Sequence, residues 1–373
     1  MDIYSPSKAI FHTDKIKQLQ EHKPIIPTLL QVDLEAYCND NCMFCSYRKE
    51  NGYNNSMLDL IVPKGKLPII NENKPIGQPS KQSGLDEAMA YKLPMMMKQA
   101  GIPAIELTGG GEPTIWPHFD YLLDNIISNG IELGLVTNGS NLTPSRISRI
   151  VSFGTWIRIS MDASNQETHK KIHRTPNNDF ERRIENIKSL VTAKKASNSQ
   201  LTIGISFIIT PQNKSDVEDS ARFYKRLGVD NIRFSWMYDK EGHAGLTEID
   251  ILALKIKLGA LKKELETSDF KLLYSSDRID SFSQPNTDFN TCYYQRFVWS
   301  IGADNLVYPC CIQKYNKDYA FGDIRKNTLL ELVELMNEQM TNLDVKMCSP
   351  CWLRDRNKSI ASAVEQPPHH NFV

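Results

Sequence analysis

The chain of 373 residues has no net charge, because 44 Lys plus Arg are matched by 44 Asp plus Glu. No global field therefore draws it to nucleic acid or to an anionic membrane, although a local basic groove stays open as an option. No stretch approaches the roughly 18 consecutive apolar residues that a membrane helix needs. The opening Met1-Asp2-Ile3-Tyr4 has neither a basic n-region nor an apolar h-region, so a cytoplasmic rather than secreted protein is expected. No internal repeat is visible. With 40% apolar and 24% charged residues the composition is globular, not disordered or collagen-like. At roughly 100–200 residues per domain the length points to two units. Cysteine is scarce, 8 in all, too few for a disulfide scaffold. Three cysteines lie from Cys38 to Cys45, none between Cys45 and Cys292, and five from Cys292 to Cys351. Two tight clusters in a chain without an export signal read as metal ligands before disulfides.

What fills the rest is an alternation of short apolar runs and amphipathic stretches. Strands are predicted at 28–34, 104–108, 131–137, 155–161, 201–209 and 231–236, mostly near-continuous apolar runs of the kind found in parallel sheets buried on both faces. Helical patterns lie between them at 86–100, 118–129, 144–152, 179–196 and 215–227. Ser83 and Asp86, Thr143 before Pro144, and the trailing Gly130 and Gly228 mark helix ends. Six such steps indicate an α/β sheet with right-handed crossovers, either open or curved into a partial (βα)6 TIM-like barrel.

After Trp236 the alternation is expected to stop. A helix over 247–266 leads to a hairpin with strands at 297–301 and up to Tyr308 around Gly302-Ala303-Asp304-Asn305, and then to a helix over 327–340. The expected organisation is an N-terminal extension (1–27), a barrel (28–240), a linker helix region (241–285) and a small α+β domain (286–373). An insert at 49–82, rich in Asn, Pro, Gly and Lys, has the length of a lid. The run from Trp352 to Phe372 reads as a frayed tail, with a plug for an open barrel as the other option.

Cys38-Asn39-Asp40-Asn41-Cys42-Met43-Phe44-Cys45 is a C-x3-C-x2-C run just past the first strand. Three thiolates on one loop can hold three corners of a [4Fe–4S] cube and leave one iron open. Structural zinc wants four protein ligands, and His22, the nearest upstream histidine, is a poor fourth. His169 and His173 have the i,i+4 spacing that can clamp a metal. Lys170, Lys171 and Arg174 flank them and no third ligand is evident, so a solvated helix face is expected there.

The three-cysteine run, with an aromatic before its last cysteine, resembles the radical S-adenosylmethionine (radical SAM) superfamily, and four further motifs follow in family order over residues 28–236. Gly110-Gly111-Glu112-Pro113 resembles the segment that binds the SAM amino group. Thr137-Asn138-Gly139 resembles the motif ending the third strand. Ser160-Met161-Asp162 resembles the segment beside the SAM ribose. Arg174 falls where a basic residue takes the SAM carboxylate. Alone, each of these would equally suit a tight turn, an N-cap or a solvated charge. Their succession after consecutive strands fits a ligand bound at the carboxyl ends of a parallel sheet.

Cys292, the adjacent Cys310 and Cys311, and Cys348-Ser349-Pro350-Cys351 supply enough sulfur for one more metal site, and by spacing alone structural zinc would read the same. With Gly302, Tyr308-Pro309-Cys310 and Phe321-Gly322-Asp323-Ile324, the segment resembles the auxiliary-cluster domains called SPASM and twitch. The cysteine count fits the shorter, single-cluster twitch form. That resemblance implies ligation by Cys292, Cys310, Cys348 and Cys351. Cys311 is left to pack as a small hydrophobe, to replace Cys310, or to line the cavity as a candidate catalytic thiol.

The resemblance implies that Cys38, Cys42 and Cys45 hold a [4Fe–4S] cluster whose open iron chelates SAM. One electron, from a donor such as flavodoxin or ferredoxin, then yields a 5′-deoxyadenosyl radical that takes a substrate hydrogen. An auxiliary [4Fe–4S] cluster implies further oxidation of the substrate radical. Residues 1–27 are too short for a peptide-recognition domain, which favours a small-molecule substrate. Radical modification or crosslinking of a peptide stands second and modification of a nucleobase third. The non-catalytic alternative is an iron–sulfur or zinc protein that only binds or passes electrons.

Overall fold

The computed structural model describes residues 5–45, 47, 84–237, 245–274, 289–340, 345–348, 351 and 353–365. The 49–82 insert, Ser83, Trp352 and the aromatic end of the tail lie outside the described residues.

Among the described residues ten strands form one sheet. They are β1 (Leu29–Asp33), β2 (Ala104–Thr108), β3 (Glu132–Thr137), β4 (Gly154–Ser160), β5 (Thr202–Ile209), β6 (Asn231–Trp236), β7 (Lys271–Tyr274), β8 (Val298–Ile301), β9 (Leu306–Tyr308) and β10 (Gly322–Asp323). Their spatial order is β10-β9-β8-β1-β2-β3-β4-β5-β6-β7. The pairs from β1 through β7 are parallel, and β8 joins β1 in parallel on the other side. The helices are α1 (Thr13–Gln20), α2 (Met89–Ala100), α3 (Phe119–Ser128), α4 (Pro144–Phe153), α5 (Gln166–His173), α6 (Asp179–Ser197), α7 (Val217–Leu227), α8 (Glu248–Leu265), the single turn α9 (Tyr294–Phe297), α10 (Leu329–Met340) and α11 (Arg354–Glu365). The mostly parallel α/β architecture expected from the alternating pattern is therefore the one observed, with element ends within a few residues.

Strand alternation sorts the two faces. Leu30, Val32, Ile105, Leu107, Ile157, Ile159, Ile203 and Ile205 are buried in the helix-covered core. Each such side chain stabilises by about 1.5–3 kcal/mol. The opposite face is polar and only partly buried: Gln31 Nε2 donates to Glu106 Oε2 (3.2 Å), and Arg158 Nη2 lies 4.0 Å from Glu106 Oε1. Local chemistry sets the helix ends. Thr143 Oγ1 caps α4 ahead of Pro144, and Thr247 and Asp250 form a reciprocal capping box on α8.

Two expectations need correction. The βα alternation does not stop at Trp236, because α8 returns the chain to β7, parallel to β6. That strand has four residues, of which Leu272 and Leu273 carry the burial, too short a run to stand out in the sequence. The C-terminal hairpin is present and lies on the same sheet, since Val298–Ile301 pairs with β1 and carries β9 and β10 onto that edge. The tail is not frayed over its first part. Ile360 and Val364 form an apolar stripe on α11, buried with Ile16, Leu19 and Ile25 of the N-terminal segment.

Candidate functional site

The three-cysteine loop leaves the carboxyl end of β1 and is held from both sides by backbone bonds. The Gly111 amide donates to the Glu35 carbonyl (2.8 Å) and the Glu112 amide to the Tyr37 carbonyl (3.0 Å). The Asn41 and Met43 amides donate to the His173 and Ile172 carbonyls (3.0 and 2.9 Å). A Cβ on Gly111 would lie 1.8 Å from the Tyr37 carbonyl oxygen, so only glycine lets the two loops approach. Cys38, Cys42 and Cys45 are half-buried, and the Asp40 amide donates to Cys38 Sγ (3.4 Å). Burial, then the charges of Asp40, Glu112 and Cys42, push the Cys38 thiol well up. A bound cation removes that penalty, as a ligand set of crowded thiols requires.

The other sequence-derived residues gather around this loop. Glu112 is buried, and its carboxylate accepts from the Thr114 amide and hydroxyl, the Thr137 hydroxyl and the Asn138 amide (3.1, 2.6, 2.6 and 2.7 Å). It thus latches the end of β2 to the end of β3. Asn138 Nδ2 donates to Asn39 Oδ1 (2.8 Å), tying that strand end to the cysteine loop. Gly110 faces the Tyr315 hydroxyl, and a Cβ there would lie 3.1 Å from it. Ser160 ends β4 half-buried, and Asp162 is buried with φ +53° and accepts from the Ile208 amide. Arg174 is exposed at the left-handed C-cap of α5.

His169 and His173 are not solvated, contrary to the expectation from their basic neighbours: they are 0% and 1% exposed. Lys170 and Lys171 are exposed on α5, Arg174 is its C-cap, and the histidines are on the buried face. His169 Nε2 lies 3.1 Å from Asp179 Oδ2. His173 Nδ1 lies 3.1 Å from Cys42 Sγ and 3.4 Å from Asp40 Oδ2. Arg183, fully buried on α6, donates twice to Asp40 (2.6 and 3.0 Å), once to the Asn138 carbonyl (3.0 Å) and pairs with Asp179 (2.6 Å). His173 and Arg183 hold the Asp40 carboxyl at about 2 against the upward push of burial. Sequence reasoning missed Asp40, Asp179 and Arg183. The available signal was the i,i+4 pair Asp179 and Arg183 beside the apolar stripe of α6.

Four cysteines of the second group come together in the fold. Cys292, Cys310, Cys348 and Cys351 line one cavity, with Phe289, Tyr294, Ile312 and Leu353 among its apolar walls. Burial pushes Cys292 to about 11 and Cys351 to about 12, and raises Cys310 well above the usual range. Asn357 of α11 braces the wall, accepting from the Tyr294 amide and donating to the Thr291 carbonyl (2.9 Å each). Four soft donors in one apolar pocket suit an iron–sulfur cluster. Cys311 does not line that cavity.

One further buried group was not anticipated. Asp33, at the end of β1, accepts from Lys314 Nζ (2.7 Å) and the Tyr315 hydroxyl (2.8 Å), which also accepts from the Ala303 amide (3.2 Å). It joins the barrel strand that feeds the cysteine loop to the loop that follows Cys310 and Cys311. Against the pull of burial, Asp33 raises the Lys314 pKa.

Residues 36–224 match the radical SAM superfamily, and residues 292–352 match SPASM, an iron–sulfur cluster-binding domain. The S-adenosylmethionine-dependent nucleotide dehydratase of Flammeovirga pacifica is 28% identical over 153 residues, covering 41% of this chain and 44% of that protein. The tungsten-containing aldehyde ferredoxin oxidoreductase cofactor-modifying protein of Pyrococcus furiosus is 25% identical over 284 residues, 66% of this chain and 73% of that protein. The match thus spans less than half of the dehydratase. Streptococcus suis SuiB bound to S-adenosylmethionine shares the fold with a TM-score of 0.62 at 13% identity, over 92% of this chain and 74% of that one. Native anSMEcpe with bound AdoMet does so with a TM-score of 0.61 at 16% identity, over 89% and 88%. No helix among the described residues is long and apolar enough to cross a membrane. The matched families bring S-adenosylmethionine and iron–sulfur clusters as cofactors. The chain belongs to the radical SAM superfamily and carries an iron–sulfur SPASM domain.

Proposed function

We propose that the protein is an enzyme that uses a radical derived from SAM to take a hydrogen from a small polar molecule, and that its second cluster accepts an electron from the product radical. The observation that carries this reading is the seating of the three-cysteine loop between the glycine loop and α5 at the carboxyl ends of the strands. When bound, the cluster and SAM supply one-electron cleavage to a 5′-deoxyadenosyl radical. Cys38, Cys42 and Cys45 are the ligands of that cluster. Gly110, Gly111 and Glu112, with Asn138, Ser160, Asp162 and Arg174, form the SAM seat. Four donors already engage the Glu112 carboxylate, three of them on Oε1, so an amino group would meet it at Oε2. Cys292, Cys310, Cys348 and Cys351 are the auxiliary ligands. The polar inner face of Gln31, Glu106 and Arg158 supports a hydrophilic substrate, and a nucleotide dehydratase stands among the relatives. A flavodoxin or ferredoxin in the cytoplasm is the proposed electron source.

The test is anaerobic incubation of reconstituted protein with SAM and dithionite. Formation of 5′-deoxyadenosine supports the reading, and bound zinc with no SAM cleavage would leave a non-catalytic metal protein. Coupled turnover of a peptide, with none of small polar molecules, would reverse the substrate assignment.

A further inference from the structure

The imidazole of His173 is held in place on every side. Its ring stacks on His169 (centroids 4.4 Å apart, 25° between planes) and meets the edge of Phe44, the aromatic residue before Cys45, at 6.3 Å. Nε2 lies 3.0 Å from the Met161 carbonyl oxygen and 3.1 Å from Asp162 Oδ2. Nδ1 lies 3.1 Å from Cys42 Sγ and 3.4 Å from Asp40 Oδ2, and Arg183 fixes Asp40 in turn. A carbonyl oxygen only accepts, so Nε2 donates to it, and a second N–H on Nδ1 makes the ring an imidazolium. A cysteine that ligates iron is a thiolate with no proton of its own, so a hydrogen bond between Nδ1 and that sulfur needs the N–H on the histidine.

We propose that His173 is a positioning residue for the SAM-binding cluster, which donates Nδ1–H to the Cys42 sulfur and thereby raises the reduction potential of the cluster. Hydrogen bonds to ligand sulfurs withdraw electron density and favour the more negative, reduced state. A cluster that must accept an electron before it can cleave SAM gains directly from that bias. The backbone bond from Asn41 to the His173 carbonyl is independent of the side chain, so substitution leaves the loop tethered. The inference rests on the assignment of Cys42 as a cluster ligand.

The test is a redox titration of the reconstituted holoenzyme, followed by the electron paramagnetic resonance signal that responds to SAM, with iron content measured in parallel. His173→Asn keeps a donor at the Nδ1 position, His173→Gln keeps only the Nε2 side, and His173→Leu keeps neither. The expected result is a lower potential in all three variants, because each loses the ring's charge, with a further fall in His173→Gln and His173→Leu beyond that of His173→Asn, all with wild-type iron. An unchanged potential in His173→Gln and His173→Leu would overturn the inference. So would a shift in His173→Asn equal to that in His173→Gln, or loss of iron from all three. A wild-type protein without any SAM-responsive signal would instead fail at the cluster assignment, and the inference would fall with it.

Discussion

Gly111 and Lys314 are the residues whose replacement separates close approach from charge. A Cβ at Gly111 would meet the Tyr37 carbonyl oxygen, a backbone atom that cannot swing away. Gly111→Ala should therefore cost about 1–3 kcal/mol by overpacking and lower the iron retained on the three-cysteine loop. Thermal unfolding and iron analysis check this, and an unchanged melting temperature would sink it. Lys314 and Asp33 are 3% and 0% exposed and pair at 2.7 Å. Lys314→Met should cost about 3–5 kcal/mol, because it strands a buried carboxylate. Asp33→Asn in the same chain should recover part of the loss, and chemical denaturation of the single and double variants reads the coupling. The Gly111 and Cys38–Cys45 positions were legible in the sequence because local motifs carry them. The Lys314–Asp33 and Arg183–Asp40 pairs were not, since each joins residues far apart in the chain whose proximity only the sheet creates. His173 was misread because its basic neighbours face outward while the helix turns it inward.

At the scale of elements, α11 is the surprise. Its apolar stripe closes on α1 and on the 3-10 helix Pro6–Phe11, and its Asn357 braces the segment carrying Cys292. Ile360, fully buried there, should cost about 2–5 kcal/mol when replaced by Ala. Asn357→Ala should release the Tyr294 amide and the Thr291 carbonyl and reduce the iron held by the auxiliary site, with the SAM-responsive cluster unaffected. Equal iron at both sites in that variant would contradict the bracing role. The parallel strands were legible because each is a compact apolar run between capped helices. β7 was hidden by its shortness, and α11 by charged residues that outnumber its apolar stripe.

At the scale of the whole molecule, one sheet carries both cysteine groups. β8 lies between β1 and β9, so the strand that feeds the first cysteine loop is one strand removed from the strand that leads into the Cys310–Cys311 turn. Within that turn, Cys310→Ala should cost the auxiliary iron and Cys311→Ala should not, since only Cys310 lines the cavity. The reverse pattern would exchange their roles. The central claim, two independent iron sites of which one alone cleaves SAM, is tested most directly by replacing Cys38, Cys42 and Cys45 together with Ala. Iron and 5′-deoxyadenosine are then measured after anaerobic reconstitution with SAM and dithionite. The account predicts about half of a wild-type content of about eight irons and no 5′-deoxyadenosine. Persistent 5′-deoxyadenosine, or loss of all the iron, would contradict it.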